Sequence, residues 1–160
     1  MLKTIRIAIC VCCLVTLAIA QGAAKWTITQ GILTPESAYV DPVSGFLFIS
    51  SVEGQPNEKD GKGHITKATT DGKVVAASWV SGLNAPKGLR SFKGTLWTAD
   101  IDEVIGIDIA SGKITSRVKP AGAQFLNDVA TGSDGTVYVS DMMLSRIYAC
   151  LLYTSDAADE

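Results

Sequence analysis

Few residues in this sequence carry side chains suited to chemistry, and their spacing narrows the options further. His64, in "KGHITKA", is the only histidine among 160 residues. It has no second imidazole with which to hold zinc and no evident Ser and Asp partners, so it reads as a structural or exposed residue. Asp100, Asp102 and Glu103 in "ADIDEV" form a short acidic cluster at a strand break, able to touch a cation but expected as a solvated loop. "EGQPNEKDGKGH", residues 53–64, is rich in Asp, Asn and Gly but lacks the ligand spacing of an EF-hand. A long polar loop of this kind could gate a pocket or simply be an exposed hairpin loop. There is no Gly-rich phosphate loop, Ser nucleophile elbow or Cys–His pair. Any enzymatic function would have to rest on a bound metal.

The elements that would position such residues repeat along the chain. "YVDPVSGFLFISS", "LRSFKGTLWTAD" and "VATGSDGTVYVSD" each read as an apolar strand, a Gly turn and an apolar-aromatic strand. A polar break and a third strand follow in all three. In the first two, Asp71-Gly72-Lys73 and Ser111-Gly112-Lys113 then lead into a fourth strand. The aromatic markers Phe48, Trp97 and Tyr138 lie 49 and 41 residues apart. Four short strands per unit at a period of about 40–50 residues is the signature of β-propeller blades. A β-sandwich with accidental self-similarity is the alternative, but the order of turn, aromatic strand and turn is kept as well as the spacing. The expected fold class is all-β: a β-propeller of four-stranded antiparallel blades, truncated to about three. The blades fall at about 32–78, 82–120 and 124–149.

The two ends read differently from this body. "MLKTIR" is a positive flank, "IAICVCCLVTLAIA" a short apolar run, and Ala18-Ile19-Ala20 supplies small residues before Gln21. These are the parts of a signal peptide, residues 1–20, and they imply a secreted or periplasmic protein with no membrane association once the leader is removed. Cys10, Cys12 and Cys13 lie in that leader, so residues 21–149 hold no cysteine and no internal disulfide. "CLLYTSDAADE", residues 150–160, is similar to the translation of a transposon-end sequencing adapter and is expected to take no part in the sheet core. The net charge of -2 offers no electrostatic case for nucleic acid.

"PESAYVDPVSGFLFISS" resembles the opening blade of the six-bladed, calcium-dependent propellers of the regucalcin and gluconolactonase family and their paraoxonase and strictosidine synthase relatives. "FLNDVATGSDGTVYVSD" resembles their Asn-Asp blade. The resemblance covers about residues 32–149. It implies a divalent cation, Ca2+, held at the channel mouth by Glu36, preceding the first inner strand, and Asn127, preceding the third. Asp128 and Phe125 would then face a substrate. Because Asn127 stands eleven residues before Tyr138, the matching place in the second unit is expected at Pro86, eleven before Trp97. The function so implied is an exported metal-dependent hydrolase of the lactonase or esterase type, acting on a small-molecule lactone or ester. The alternative is a non-catalytic exported propeller that binds a ligand or protein partner at its channel mouth, because one ring serves unrelated functions.

Overall fold

The computed structural model describes residues 22–151, which form eleven strands in three antiparallel sheets and no helix. Strands β1 (Pro35–Val40), β2 (Leu47–Ser51), β3 (Gly63–Ala68) and β4 (Val74–Leu83) make the first sheet. Strands β5 (Pro86–Phe92), β6 (Thr95–Asp100), β7 (Glu103–Asp108) and β8 (Ile114–Val118) make the second. The third contains β9 (Leu126–Thr131), β10 (Thr136–Asp141) and β11 (Arg146–Leu151). Within each sheet the strands pair in sequence order, which is the meander of a propeller blade. The two outer hairpins turn where the sequence predicts. Gly72 and Gly112 hold φ at +88° and +72°, a left-handed backbone that a side chain would strain.

Side-chain alternation explains how the sheets stack. In β2, β6 and β10 alternate residues face opposite sides of the sheet, so β6 of the middle sheet packs against both neighbours. Phe48 packs with Leu89, Leu96, Ile105 and Ile107 of the second sheet. Trp97 and Ala99 pack with Leu126, Val129, Val137 and Val139 of the third. Phe48, Trp97 and Tyr138 each lie three residues before the last residue of the second strand of their sheet, as the repeat requires. The first two are buried, whereas Tyr138 is 43% exposed, on the face of the third sheet that no described strand covers. The opposite face of the first sheet, with Leu47, Ile49 and Ala68, is covered by Ile28 and Ile32 of the segment before β1. The described residues are thus an arc of a β-propeller.

Two boundaries differ from expectation. β4 runs to Leu83, beyond residue 78, because its pairing with β3 continues past Val80 through irregular register to Gly63. β11 runs two residues past Ala149: Cys150 pairs with Val137 and Leu151 with Thr136. The expectation that the tail takes no part in the sheet core is corrected for Cys150, which packs against that core, whereas Leu151 stays exposed at the sheet edge. An edge strand already in register continues wherever its partner still offers backbone groups. Residues 1–20, read as the leader, and 152–160 of the tail lie outside the described residues.

Candidate functional site

The inner strands of the three sheets share one irregularity, and it builds the site. Pro35, Pro86 and Leu126 pair with Ser51, Asp100 and Asp141, the last residues of β2, β6 and β10. Further along, Ala38, Leu89 and Val129 pair with Ile49, Thr98 and Val139. Three steps on each inner strand thus face two on its partner, which is a β-bulge at the same place in every sheet. In the first and third sheets two consecutive residues at the bulge, Glu36 with Ser37 and Asn127 with Asp128, line one cleft. In the first and third sheets the displaced N–H is satisfied by a serine: Ser37 N–H donates to Ser50 Oγ at 3.1 Å and Asp128 N–H to Ser140 Oγ at 3.0 Å.

The bulge sets the equivalences. Glu36, Lys87 and Asn127 occupy one step, and Ser37, Gly88 and Asp128 the next. The match in the second sheet is therefore Lys87 and not Pro86. Counting back from the aromatic residue misses it because the β1–β2, β5–β6 and β9–β10 turns hold six, two and four residues. Glu36 and Asn127 lie within β1 and β9, second in each strand, rather than before them.

Glu36, Ser37, Gly88, Arg90, Asn127 and Asp128 line one polar cleft of about 340 Å3. The structure thus brings together Glu36, Asn127 and Asp128 as the sequence predicts. It does not bring Phe125 with them. Phe125 lines a neighbouring apolar cleft of about 240 Å3 with Pro56, Met142 and Met143. Gly88 is required by close approach: a Cβ there would lie 2.2 Å from Asp128 Oδ1 and 2.7 Å from Asp128 Cα. β5 and β9 can meet beside the cleft only because this residue has no side chain.

Lys87, the residue before Gly88, is buried, 2% exposed. Its ammonium donates to Ala85 O at 2.9 Å and to Pro56 O at 3.1 Å, and sits 4.6 Å from the centre of the Phe125 ring. Burial pushes its pKa below the usual lysine value, against the pull of Asp100 and Glu36. The Glu36 carboxyl is pushed above its ordinary range, first by desolvation and further by Asp128, with Lys87 opposing. A perturbed carboxyl in a polar cleft makes Glu36 a candidate functional residue.

The loops around this mouth are held by the last residue of each second strand. Asp100, fully buried, accepts from Asn84 N–H and Ala85 N–H at 2.7–3.1 Å. Asp141 accepts from Gln124 N–H at 2.8 Å, Phe125 N–H at 3.3 Å, and Met143 and Leu144 N–H at 3.1 Å. Ser51 takes the same part more weakly, accepting from Leu33 N–H at 3.4 Å. The "ADIDEV" cluster is correspondingly not a solvated loop. Asp100 is a backbone cap, and Asp102, largely buried, pairs with Lys59 at 2.6 Å and Lys119 at 2.5 Å. His64 is buried against Glu53, with Nδ1 3.3 Å from Oε2, which fits its structural reading.

Glu36, Asn127 and Asp128 bring side-chain oxygens to this cleft. Ca2+ takes 6–8 oxygen ligands. The equivalent step of the second sheet is Lys87, whose ammonium is bonded to Ala85 O and Pro56 O, and no group of three His, Cys, Asp or Glu able to hold a metal ion occurs among the described residues. Lys87, Gly88 and Arg90 are the residues that sequence reasoning missed. The shared proline of "PESA" and "PKGL" was the signal that could have aligned them.

No protein-family model and no curated protein matches this chain. Among solved structures, a chain in a crystal structure of a nidogen/laminin complex is similar to it, with 20% identity and a TM-score of 0.57. The match covers 75% of this chain and 44% of the other, so the chain spans less than half the length of that neighbour. At this identity the likeness is one of fold, and it agrees with a truncated β-propeller.

Proposed function

We propose that this protein is an exported β-propeller that binds a small polar ligand at its channel mouth without a metal ion. The observation that carries this is the convergence of Glu36, Asn127 and Asp128 on one cleft, although the first two lie 91 residues apart in sequence. Carboxylates, an amide and the guanidinium of Arg90 together offer both acceptors and donors, as a ligand rich in hydroxyl groups would need. Export rests on the leader-like residues 1–20. Lys87, a cation at the second of the three equivalent steps, favours binding without a metal.

A second reading is the calcium-dependent lactone or ester hydrolase implied by the resemblance to the gluconolactonase family. Its support is that Glu36 and Asn127, on which that resemblance places the metal, occupy equivalent steps and line the same cleft. It would require further oxygen donors from other blades, enough to outweigh the charge of Lys87.

Hydrolysis of δ-gluconolactone and phenyl acetate by the full-length protein, with Ca2+ and with EDTA, separates the two. The binding reading expects no turnover above background in either condition. Calcium-dependent turnover that disappears in Glu36→Gln would establish the hydrolase instead.

A further inference from the structure

We propose that the mouth cleft receives a small zwitterion: Arg90 takes the ligand's carboxylate, while Glu36 and Asp128 take its ammonium. The inference rests on the ligand-binding reading above and narrows the ligand by its charges. It starts from the strand register beyond the bulge. Tyr39 pairs with Phe48, Arg90 with Trp97 and Ala130 with Tyr138, so these three inner-strand residues form one level. That level lies three residues along the inner strands from Glu36, Lys87 and Asn127. At about 3.3 Å per residue the separation is at most about 10 Å. Glu36, Asp128 and Arg90 nevertheless line the same cleft, which therefore carries carboxylates at one level and a guanidinium at another.

The guanidinium is positioned and left open. Its carbon lies 5.6 Å from the centre of the Tyr39 ring, so the side chain reaches from β5 to β1. Tyr39 is itself fixed: its hydroxyl is 3.0 Å from Ser91 Oγ, which donates to Asp41 Oδ1 at 2.5 Å. On the third sheet the same level holds Ala130, whose small side chain lines a second cleft of about 220 Å3 together with Arg90 and Asp128. A guanidinium has five donors and no acceptor. Among the described residues one of them is engaged, Nη1, which donates to Leu89 O at 2.6 Å. Arg117 is the arginine that forms an ion pair among the described residues, so neither Glu36 nor Asp128 neutralises Arg90 by direct contact.

The carboxylates are equally unmatched. Among the described residues Glu36 has no hydrogen-bond or ion-pair partner, and Asp128 accepts only from the N–H of its neighbour Val129, at 2.9 Å. Burial raises the Glu36 carboxyl and the charge of Asp128 raises it further; Lys87, bonded to Ala85 O and Pro56 O, opposes this without reversing it. A simple anion entering the cleft would meet this pair as like charges, and a simple cation would leave Arg90 uncompensated. A neutral polyol would leave both sets of charge unpaired. A molecule with an ammonium at one end and a carboxylate at the other is complementary to both, and the guanidinium fork matches a carboxylate with two parallel hydrogen bonds. Asn127 adds an amide that can accept from the ammonium.

The test is calorimetric titration of the full-length protein with probes up to about 10 mM, enough to saturate a site with a Kd of ~1 mM. Glycine, β-alanine, γ-aminobutyrate and δ-aminovalerate span a range of charge separations. Butyrate and butylammonium carry one charge each, and sorbitol carries none. At least one zwitterion should saturate the site and bind at least about tenfold more tightly than either singly charged probe, the scale of one hydrogen bond to a charged group. Arg90→Gln and Glu36→Gln, each checked for folding by circular dichroism, should weaken that zwitterion by about 10–100-fold, and Arg90→Lys should recover part of the loss. The proposal is overturned if no zwitterion saturates, if butyrate or butylammonium binds as tightly, or if the folded variants bind like wild type. Should the variants not fold, the wild-type comparison of zwitterion with singly charged probes decides alone. Sorbitol saturating where no zwitterion does would overturn this inference and leave the binding reading standing; saturation by none of the probes would count against both.

Discussion

Replacing Asp141 with alanine should be among the most damaging single changes in the third sheet. The residue is 1% exposed, and its two oxygens accept from four backbone N–H groups of the surrounding loops. A hydrogen bond to a charged group contributes about 1.5–3 kcal/mol. Four bonds to one carboxylate do not add, and some of the freed N–H groups can turn to water. Counting about two of them as lost gives a cost of ~3–5 kcal/mol, a large share of the roughly 5–15 kcal/mol that holds a typical protein folded. Asp141→Ser copies what Ser51 does in the first sheet and should recover part of the loss.

The acid limb follows with a definite sign. Burial works to raise the Asp141 carboxyl, but the N–H groups of Gln124, Leu144, Phe125 and Met143 outweigh it and leave the pKa below the ordinary value. A carboxyl depressed in the folded state contributes stability that is fully present above the unfolded pKa of about 3.9. That contribution is lost as pH falls through the folded value. Urea melts of the full-length protein followed by circular dichroism at pH 7 and pH 3 test both parts. Wild type should lose more stability than Asp141→Ala between the two. A cost below about 1 kcal/mol at pH 7, or equal acid sensitivity of the two proteins, would refute the capping role.

Two further changes probe the site and the sheet faces. Gly88→Ala should cost about 1–3 kcal/mol by overpacking, because a Cβ 2.7 Å from Asp128 Cα forces β5 from β9; equal urea midpoints for variant and wild type would show that the strands can separate freely. In the 160-residue chain, Ile147→Lys with Leu151→Lys should reduce self-association on size-exclusion chromatography. Both residues are strongly exposed, at 65% and 79%, on one side of an edge strand.

What could be read in the sequence divides along a physical line. Turns were legible because their chemistry is local: Gly72 and Gly112 stand where the backbone must be left-handed. The aromatic repeat was legible because strand alternation has a fixed period of two. Glu36 and Asn127 were legible as a pair through the blade repeat. The bulge was not, since an extra residue shows only against its partner strand, and Lys87 was hidden with it. Distances counted from Trp97 run through a turn whose length varies among the sheets, so the count landed on Pro86. Asp100 was misjudged for a related reason. An aspartate in an acidic run looks solvated until the orphan N–H groups of Asn84 and Ala85 are seen to need it. The resemblance puts Phe125 beside a substrate with Asp128, but the loop held by Asp141 turns its ring toward Lys87 and the second cleft.

The sharpest check on the propeller arrangement comes from three aromatics at one structural position. Phe48 and Trp97 face the following sheet and are buried by it, at 0% and 3% exposure, whereas Tyr138 is 43% exposed. Truncating a buried Phe or Trp to alanine costs about 3–5 kcal/mol, through lost transfer energy and the cavity left behind. Truncating a half-exposed surface side chain usually changes stability by less than about 0.5 kcal/mol. In the 160-residue chain, Trp97→Ala should therefore be severe and Tyr138→Ala nearly silent. If the intact ring lays a fourth blade over the third, Tyr138 becomes a core residue there, and the same Tyr138→Ala change should cost about as much as Trp97→Ala. The measurement is the difference between the Tyr138→Ala effects in the two lengths of chain, read from urea midpoints with the solubilising lysines at 147 and 151 present in the shorter one only. Equal, small effects in both would mean that nothing packs on this face, and the third sheet would then be an end of the structure rather than one blade of a ring.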